Sequence, residues 1–437
     1  MIQPSPLRSP LPAVRPSACP GLLRIVQALD GGICRIKLPG GLLSAEQAEA
    51  VALAAEAYAG GVIEATNRAN LQIRGIQGEH GALVQGLMAA GLGPRDAAGD
   101  DVRNLLLSPA AGIDCQQLLD VRPLAGQILA SLEGEPRFHA LSAKFAVQLD
   151  GGEALAMLEH HHDLWLAPTN IDGQCWMAFG LAGCPAVGPA AGAVPLERAH
   201  ALVLAVLDRF LALASRDQHR LRDVLGTMDA QAFVAGLGLE TRAVDFHRVA
   251  ASLTPIGRHA QPQAGLVAIV AGAPLGRLDA EQLRCAADLA RRLGDGTLRV
   301  TPWQGVLLPA IAAADANAVQ VALAHAGFIV DAKLPLAALI ACTGSSGCAK
   351  ALADTKADAL RLATLLRQPS AVHLSGCGRS CAAAHVAPAT LLAVGDGHYD
   401  LYLRDAAIPG FGVRRATHIT VQEAGALLDA CSRSHTP

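Results

Sequence analysis

Four cysteines in the last quarter of the chain stand at spacings that suit a single inorganic centre. They read Cys342-Thr-Gly-Ser-Ser-Gly-Cys348 and Cys377-Gly-Arg-Ser-Cys381, with 28 residues between Cys348 and Cys377. Thiolates are soft donors and select iron–sulfur clusters, zinc or cuprous ions over hard cations. Structural zinc sites usually hold about two to four residues inside each close pair, and the Cys342/Cys348 pair is wider than that. Iron–sulfur clusters accept wider and mixed spacings. Zinc and inert core thiols stay open as other readings. A disulfide framework is disfavoured, because eleven cysteines is an odd number and a chain this long needs no covalent staples.

A second group of residues could hold an anion. In Thr66-Asn-Arg-Ala-Asn-Leu-Gln-Ile-Arg-Gly75, strand alternation would put Arg68, Asn70, Gln72 and Arg74 on one face, opposite Leu71 and Ile73. Two guanidiniums and two amides on one face suit carboxylates, which the arginine fork binds bidentately. The bland alternative is an exposed edge strand with arginines for solubility. Arg103, in Arg-Asn-Leu-Leu-Leu-Ser, and Lys144, in Ser-Ala-Lys-Phe-Ala-Val, stand near further strand-like segments. Together they imply a polyanionic ligand of modest size. His160-His-His-Asp163 reads as a solvent-exposed loop, with metal ligation by a pair of its residues as the lesser reading. His373 and His385 flank the second cysteine pair and could tune a cluster through hydrogen bonds.

The elements that must position these residues come in two copies. Pro39, Gly41, Leu43, Ala45, Glu46 and Gln47 match Pro274, Gly276, Leu278, Ala280, Glu281 and Gln282 at a constant offset of 235, and Gly61 and Thr66 match Gly296 and Thr301. Each unit reads strand, turn, helix, Gly turn, strand. Ser44 and Asp279 stand as N-caps with a glutamine three residues on, the pattern of a capping box. Helices are expected over Ala45–Tyr58 and Ala280–Leu293. Strands follow at Val62–Ala65 with Leu71–Arg74, and at Leu298–Val300 with Val306–Leu308. A unit this small cannot bury its own sheet face, so the copies should pack as a pseudo-twofold pair. The second copy carries Thr301-Pro-Trp-Gln-Gly-Val-Leu-Leu in place of the arginine segment, which argues that the first copy's basic face serves a ligand.

A larger α/β region follows each unit. These regions echo one another in Leu141-Ser142 and Leu374-Ser375, but only the second holds the cysteine pairs. Leu334–Cys342 reads as a buried strand feeding the first cysteine. The Gly-, Ala- and Pro-rich stretch Gly180–Pro195 reads as a linker before a helix over Leu196–Ala214, and Arg216–Arg222 as a salt-bridged surface run. Net charge is −3 and aromatics are 3% of residues, so neither general attraction to nucleic acid nor base-stacking platforms are expected. No apolar run is long enough to span a bilayer. The proline-rich opening, Met1–Pro20, has no apolar core of a leader, so a reducing cytoplasm is the expected compartment.

The duplicated units, the Thr66-x-Arg68-x-x-x-Gln72 segment and the Cys-x5-Cys…Cys-x3-Cys tail resemble the sulfite/nitrite reductase family, over most of the chain from about Gly21 to beyond Cys381. The resemblance implies an α+β, pseudo-twofold duplicated fold. Two ferredoxin-like half-domains, 18–100 and 251–333, would pack together beside two larger domains, 101–250 and 334–437. It implies a [4Fe–4S] cluster on Cys342, Cys348, Cys377 and Cys381. Arg68, Arg103 and Lys144 would face the carboxylates of a tetrapyrrole, which in the reductases is sirohaem. The sequence departs from the family at Ala146, where a second lysine is expected. Ala18-Cys-Pro-Gly-Leu-Leu-Arg-Ile and Ser375-Gly-Cys-Gly-Arg-Ser-Cys-Ala resemble a branch whose tetrapyrrole is the substrate, precorrin-3A. That branch hydroxylates its substrate with O2, using NADH-derived electrons from a donor protein or reductase and a mononuclear non-haem iron. A sirohaem-dependent reductase is the first alternative and a non-catalytic iron–sulfur electron carrier the second.

Overall fold

The structure is a computed structural model, and it describes residues 19–187, 189–249 and 255–433. The proline-rich opening lies outside the described residues. The helices form where the capping signals put them. Ala45–Ala59 and Ala280–Leu293 each start at a complete capping box, Ser44 with Gln47 and Asp279 with Gln282. Each such cap contributes about 1 kcal/mol to its helix.

The two units do more than pack side by side: each lends a strand to the other. The first five-stranded sheet runs Val26–Ala28, Gly31–Ile36, Leu71–Ile76, Ile63–Ala65 and then Arg277–Leu278 from the second unit. The second runs Gly257–Ala260, Leu266–Gly272, Gly305–Ala312, Thr297–Val300 and then Leu42–Ser44 from the first. Every pairing is antiparallel, with Arg277 opposite Glu64 and Leu42 opposite Arg299. The exchange needs tight turns. Gly41 has φ +71°, and a Cβ there would lie 2.2 Å from the Val300 carbonyl, so only glycine fits. One hydrophobic core joins both units, from Ile36, Leu71 and Ile73 to Leu298, Val306 and Leu308.

The two larger regions are copies in topology. Leu105–Leu107, Val147–Leu149, His162–Ile171, Gln174–Gly183 and Gly192–Pro195 form one sheet. Leu339–Ala341, Val372–Ser375, Ala389–Gly395, His398–Leu403 and Val413–Thr420 form the other. In both, the first three strands are parallel and the last two pairings antiparallel. Each sheet covers its own core.

Three expectations are corrected here. Gly180–Pro195 is not a plain linker, since it carries the end of one strand and all of Gly192–Pro195, whose register runs from Gly192 opposite Phe179 to Pro195 opposite Trp176. Leu334–Cys342 is a 3₁₀ turn, Pro335–Ala338, followed by a three-residue strand. The Leu-Ser echo is out of register: Leu374 and Ser375 lie inside a strand, whereas Leu141 and Ser142 precede the equivalent strand.

Candidate metal centre and anion cleft

The cysteines stand where two parallel strands end together. Ala341 pairs with Leu374, and the Cys342 amide donates to the Leu374 carbonyl at 3.2 Å. Cys342 therefore begins one exit turn and Cys377 lies in the next. Gly344, at φ +78°, folds the first turn back so that the Cys348 amide reaches the Gly344 carbonyl at 2.9 Å. The Gly376 amide donates to Cys342 Sγ at 3.2 Å, and Thr355 Oγ1 lies 3.4 Å from the same sulfur. The Thr355 hydroxyl itself donates to the Cys342 carbonyl at 2.8 Å, so the Gly376 amide is the donor to that sulfur. The Cys381 thiol is held above its usual range by burial and by the charges of Cys377, Cys342 and Cys348, so the four sulfurs share one neighbourhood. Among the described residues no group of three or more His, Cys, Asp or Glu side chains is disposed to hold a single metal ion. The all-sulfur donor set, spread over two turns with backbone N–H aimed at sulfur, fits a multinuclear cluster. A [4Fe–4S] cluster held by Cys342, Cys348, Cys377 and Cys381 would supply one electron at a time. For a mononuclear iron there is no such group of three or more His, Cys, Asp or Glu side chains among the described residues.

The segment after Ala65 is a turn, not strand. Thr66 Oγ1 accepts from the amides of Arg68 and Asn70 at 3.3 and 3.1 Å, Ala69 sits at φ +55°, and the strand begins only at Leu71. The proposed single face is thereby broken up. Asn67 donates across the domain boundary to the carbonyls of Cys381 and Ala382 at 3.4 and 3.1 Å. This docks the turn directly on the second cysteine loop. Arg68, next in the chain, is half-buried and has no side-chain hydrogen bond or ion pair among the described residues. Burial, with Arg220 nearby, lowers its pKa to about 10, still charged near neutrality. Asn70 lines the same cleft, and its Oδ1 accepts from the Leu38 amide at 2.8 Å. Gln72 accepts from Arg35 at 3.3 Å, and Arg35 lies within electrostatic reach of Cys381.

The remaining basic residues are placed otherwise. Arg74 forks onto Asp30 at 3.0 and 3.1 Å, lies 3.7 Å from Glu64, and donates to the Gly347 carbonyl in the first cysteine turn at 3.3 Å. Arg103 is buried, donates to the Leu92 and Gly93 carbonyls, and pairs with Glu133 at 3.5 Å. Lys144 is exposed. Of the six polar candidates, Arg68 alone combines a free charged group with a place in the cleft.

That cleft, about 10 Å³, is lined by Arg68, Asn70, Asn104, Leu105, Leu106, Ala146 and His162. It is far smaller than the roughly 300–1,000 Å³ of a pocket for a drug-sized ligand, so a larger ligand would meet these residues only at its mouth. The His160–Asp163 stretch, expected as an exposed loop, is mostly interior: His160, His162 and Asp163 are each 3% exposed or less. Asp163 accepts from the Ala146 and Leu221 amides and from Arg220 at 2.8 Å. Arg220 is therefore an internal partner rather than part of a surface run. His162 Nδ1 donates to the His160 carbonyl at 2.8 Å. Burial and the Arg68 charge hold its pKa down at about 3, so the ring is neutral and its Nε2 carries a lone pair. Sequence reading passed over Asn67, Arg35 and Arg220. Asn67 stood beside Arg68, but nothing in its type marked a partner more than 300 residues away.

Comparison with known proteins places this architecture. A nitrite/sulfite reductase ferredoxin-like half-domain matches residues 26–90 and again 259–326, and a nitrite and sulphite reductase 4Fe-4S domain matches 98–243. Together they cover more than half of the chain. The chain belongs to the nitrite/sulfite reductase family. The ferredoxin–nitrite reductase of Zea mays is 29% identical over 391 residues, which is 81% of this chain and 68% of that enzyme. A precorrin-3B synthase from Sinorhizobium sp is 27% identical over 400 residues, 90% of this chain and 84% of the relative. The solved structure of Mycobacterium tuberculosis NirA superposes with a TM-score of 0.78 at 22% identity, covering 93% of this chain and 81% of its own, which establishes the fold. In this reductase-family chain the matched 98–243 segment lies outside the four-cysteine region, which belongs to the second topological copy. Family members are oxidoreductases, and no helix among the described residues is long and apolar enough to cross a membrane.

Proposed function

We propose that this protein is a precorrin-3B synthase of aerobic cobalamin biosynthesis, hydroxylating precorrin-3A at C20 with γ-lactone formation. The observation that carries the reading is the chemistry of the cleft beside Cys381. It offers one free guanidinium, Arg68, next to a methyl group, Ala146, and a neutral imidazole, His162. Reducing a small oxyanion calls for several converging cations. Here Lys144 is turned to solvent and Arg220 is neutralised by Asp163. One arginine suits one carboxylate arm of a larger, metal-free macrocycle resting across the cleft mouth. The reaction balances as substrate plus O2, two electrons and two protons giving hydroxylated product and water. A [4Fe–4S] cluster held by Cys342, Cys348, Cys377 and Cys381 would supply the electrons one at a time from an NADH-linked donor. The Sinorhizobium relative agrees with this reading, and its match extends further along both chains than that of the Zea mays enzyme.

The alternative is a sirohaem-dependent nitrite or sulfite reductase, favoured by the slightly higher identity of the Zea mays ferredoxin–nitrite reductase, 29% against 27%. The test is extraction of the anaerobically purified protein, followed by turnover. Iron and sulfide without sirohaem, with O2-dependent conversion of precorrin-3A, is expected. Stoichiometric sirohaem with reduction of nitrite or sulfite would overturn the proposal.

A further inference from the structure

A buried charge cluster touches the first cysteine turn from below. Glu64, 8% exposed in the strand Ile63–Ala65, accepts from Arg277 at 2.8 Å. Its carboxylate also lies 3.7 Å from both Arg74 and Lys356, and Thr343 Oγ1 lies 3.5 Å from it. Lys356, near the start of the helix Thr355–Leu365, is itself buried. It donates to the Leu275 carbonyl at 2.6 Å and approaches the Ala341 carbonyl, the residue before Cys342, at 3.5 Å. Arg74 closes the ring by donating to the Gly347 carbonyl, the residue before Cys348. Three cations thus face two carboxylates, Glu64 and Asp30, around the turn that joins two sulfur ligands.

The pseudo-twofold supplies a control inside the same molecule. At the offset of 235, Glu64 corresponds to Arg299 and Arg277 to Leu42. Arg299 is also buried, and it also grips the turn after the first strand of a large domain, donating to the Pro109 and Ala111 carbonyls at 2.6 and 2.9 Å. Anchoring that turn therefore needs only one arginine. The copy facing the cysteines instead places an acid at this position and surrounds it with cations. Leu275, whose carbonyl takes Lys356, is held at φ +52°, a left-handed conformation costly for leucine. The same left-handed turn stands at Gly40 in the other copy, at φ +67°, but there a glycine takes it, and among the described residues the acid ringed by cations is found in the cysteine-facing copy, which is more than a structural anchor requires.

We propose that Lys356 and Glu64 act as an opposed pair that sets the reduction potential of the cluster on Cys342, Cys348, Cys377 and Cys381. The inference rests on cluster ligation by these four cysteines and is independent of which tetrapyrrole the protein serves. Reduction adds a negative charge, which a buried cation favours and a buried carboxylate opposes, with little screening in the interior.

The test is a redox titration of the purified holoprotein followed by electron paramagnetic resonance, with iron and sulfide content measured on each sample. Lys356→Met is expected to shift the oxidised-to-reduced ratio at fixed potential about tenfold toward oxidised, a fall of about 59 mV for a one-electron couple. Glu64→Gln is expected to shift it in the opposite sense. Lys356→Arg keeps the charge and should titrate with the unaltered protein. Should Lys356→Met assemble no cluster, Arg277→Gln, which removes a more exposed cation from the same carboxylate, must show the downward shift. Unchanged potentials, or shifts of the same sign for Lys356→Met and Glu64→Gln, would overturn the proposal. Absence of iron and sulfide from the unaltered protein would overturn the cluster assignment itself and this inference with it.

Discussion

Arg68 illustrates what one residue costs and contributes. A half-buried guanidinium with no hydrogen-bond or ion-pair partner among the described residues has lost hydration, and its through-space attraction to Asp163, which already pairs with Arg220, does not offset the burial, an arrangement that destabilises the free protein. Such strain persists where a ligand relieves it. Arg68→Met should therefore leave the melting temperature unchanged or raise it, by up to about 1–2 kcal/mol of stability. The same change should weaken binding of a polycarboxylate tetrapyrrole about tenfold to a hundredfold, the worth of a charge-assisted hydrogen bond. Iron content should not move, because no cysteine depends on the side chain. Calorimetry and fluorescence titration with uroporphyrin measure both quantities. A marked loss of stability, or unaltered binding, would show that Arg68 is a scaffold residue. Arg74 is the contrast: it was equally visible in the sequence, yet its fork is taken by Asp30 and its remaining donor by Gly347.

At the scale of elements, the centre depends on two parallel strands ending side by side so that their exit turns face one another. Gly376 is the tightest point of that arrangement. A Cβ there would lie 2.5 Å from Ala351 Cβ and 3.4 Å from Cys342 Sγ, while the Gly376 amide is the donor to that sulfur. Gly376→Ala keeps all four thiols but pushes the turns apart, so a large loss of iron and acid-labile sulfide is expected, approaching that of Cys377→Ser. Full cluster content in Gly376→Ala would mean that the turns yield easily. The helices of this fold were legible because capping boxes and apolar periodicity are local signals. The strand exchange was not, since Arg277–Leu278 is two residues long and no period can be read from two residues. The strand assumed through Arg68 failed for a related reason: the Thr66 hydroxyl offers the backbone a local turn that competes with the ladder. Side-chain type singled out the four cysteines as candidate ligands, whereas the cleft residue His162 and its neighbours Asn67 and Arg220 became meaningful only when the fold joined distant segments.

The whole molecule carries a pH dependence that follows from how its large domains meet. His160 and His385 stack at 5.2 Å between ring centres, across the boundary between the two topological copies, and His385 lies 3.5 Å from Glu159, which Arg404 also reaches at 3.1 Å. His373 is buried behind them, with Nε2 lacking any partner among the described residues. Burial, then the His385 charge, lowers the His373 pKa to about 4, and burial beside Arg68 lowers that of His162 to about 3. His160 is lowered well below its usual value by burial and by His385 and His162. These histidines are thus neutral when folded, whereas in the unfolded chain they take up protons near pH 6.5. Below that value the unfolded state binds more protons, so stability falls as the pH drops from about 6.5 toward 4, at about 1.4 kcal/mol per pH unit for each histidine. Above about pH 7 their contribution is fully present and flat. Denaturant midpoints measured between pH 7.5 and 5 should show this decline, and His373→Gln should lower its slope by the share of one proton. Acid loss of the cluster affects both proteins alike, so the difference between them isolates the histidine. Equal slopes in the two would mean that His373 is already protonated in the folded state, and the domain boundary would then have to supply it with an acceptor that the present packing does not provide.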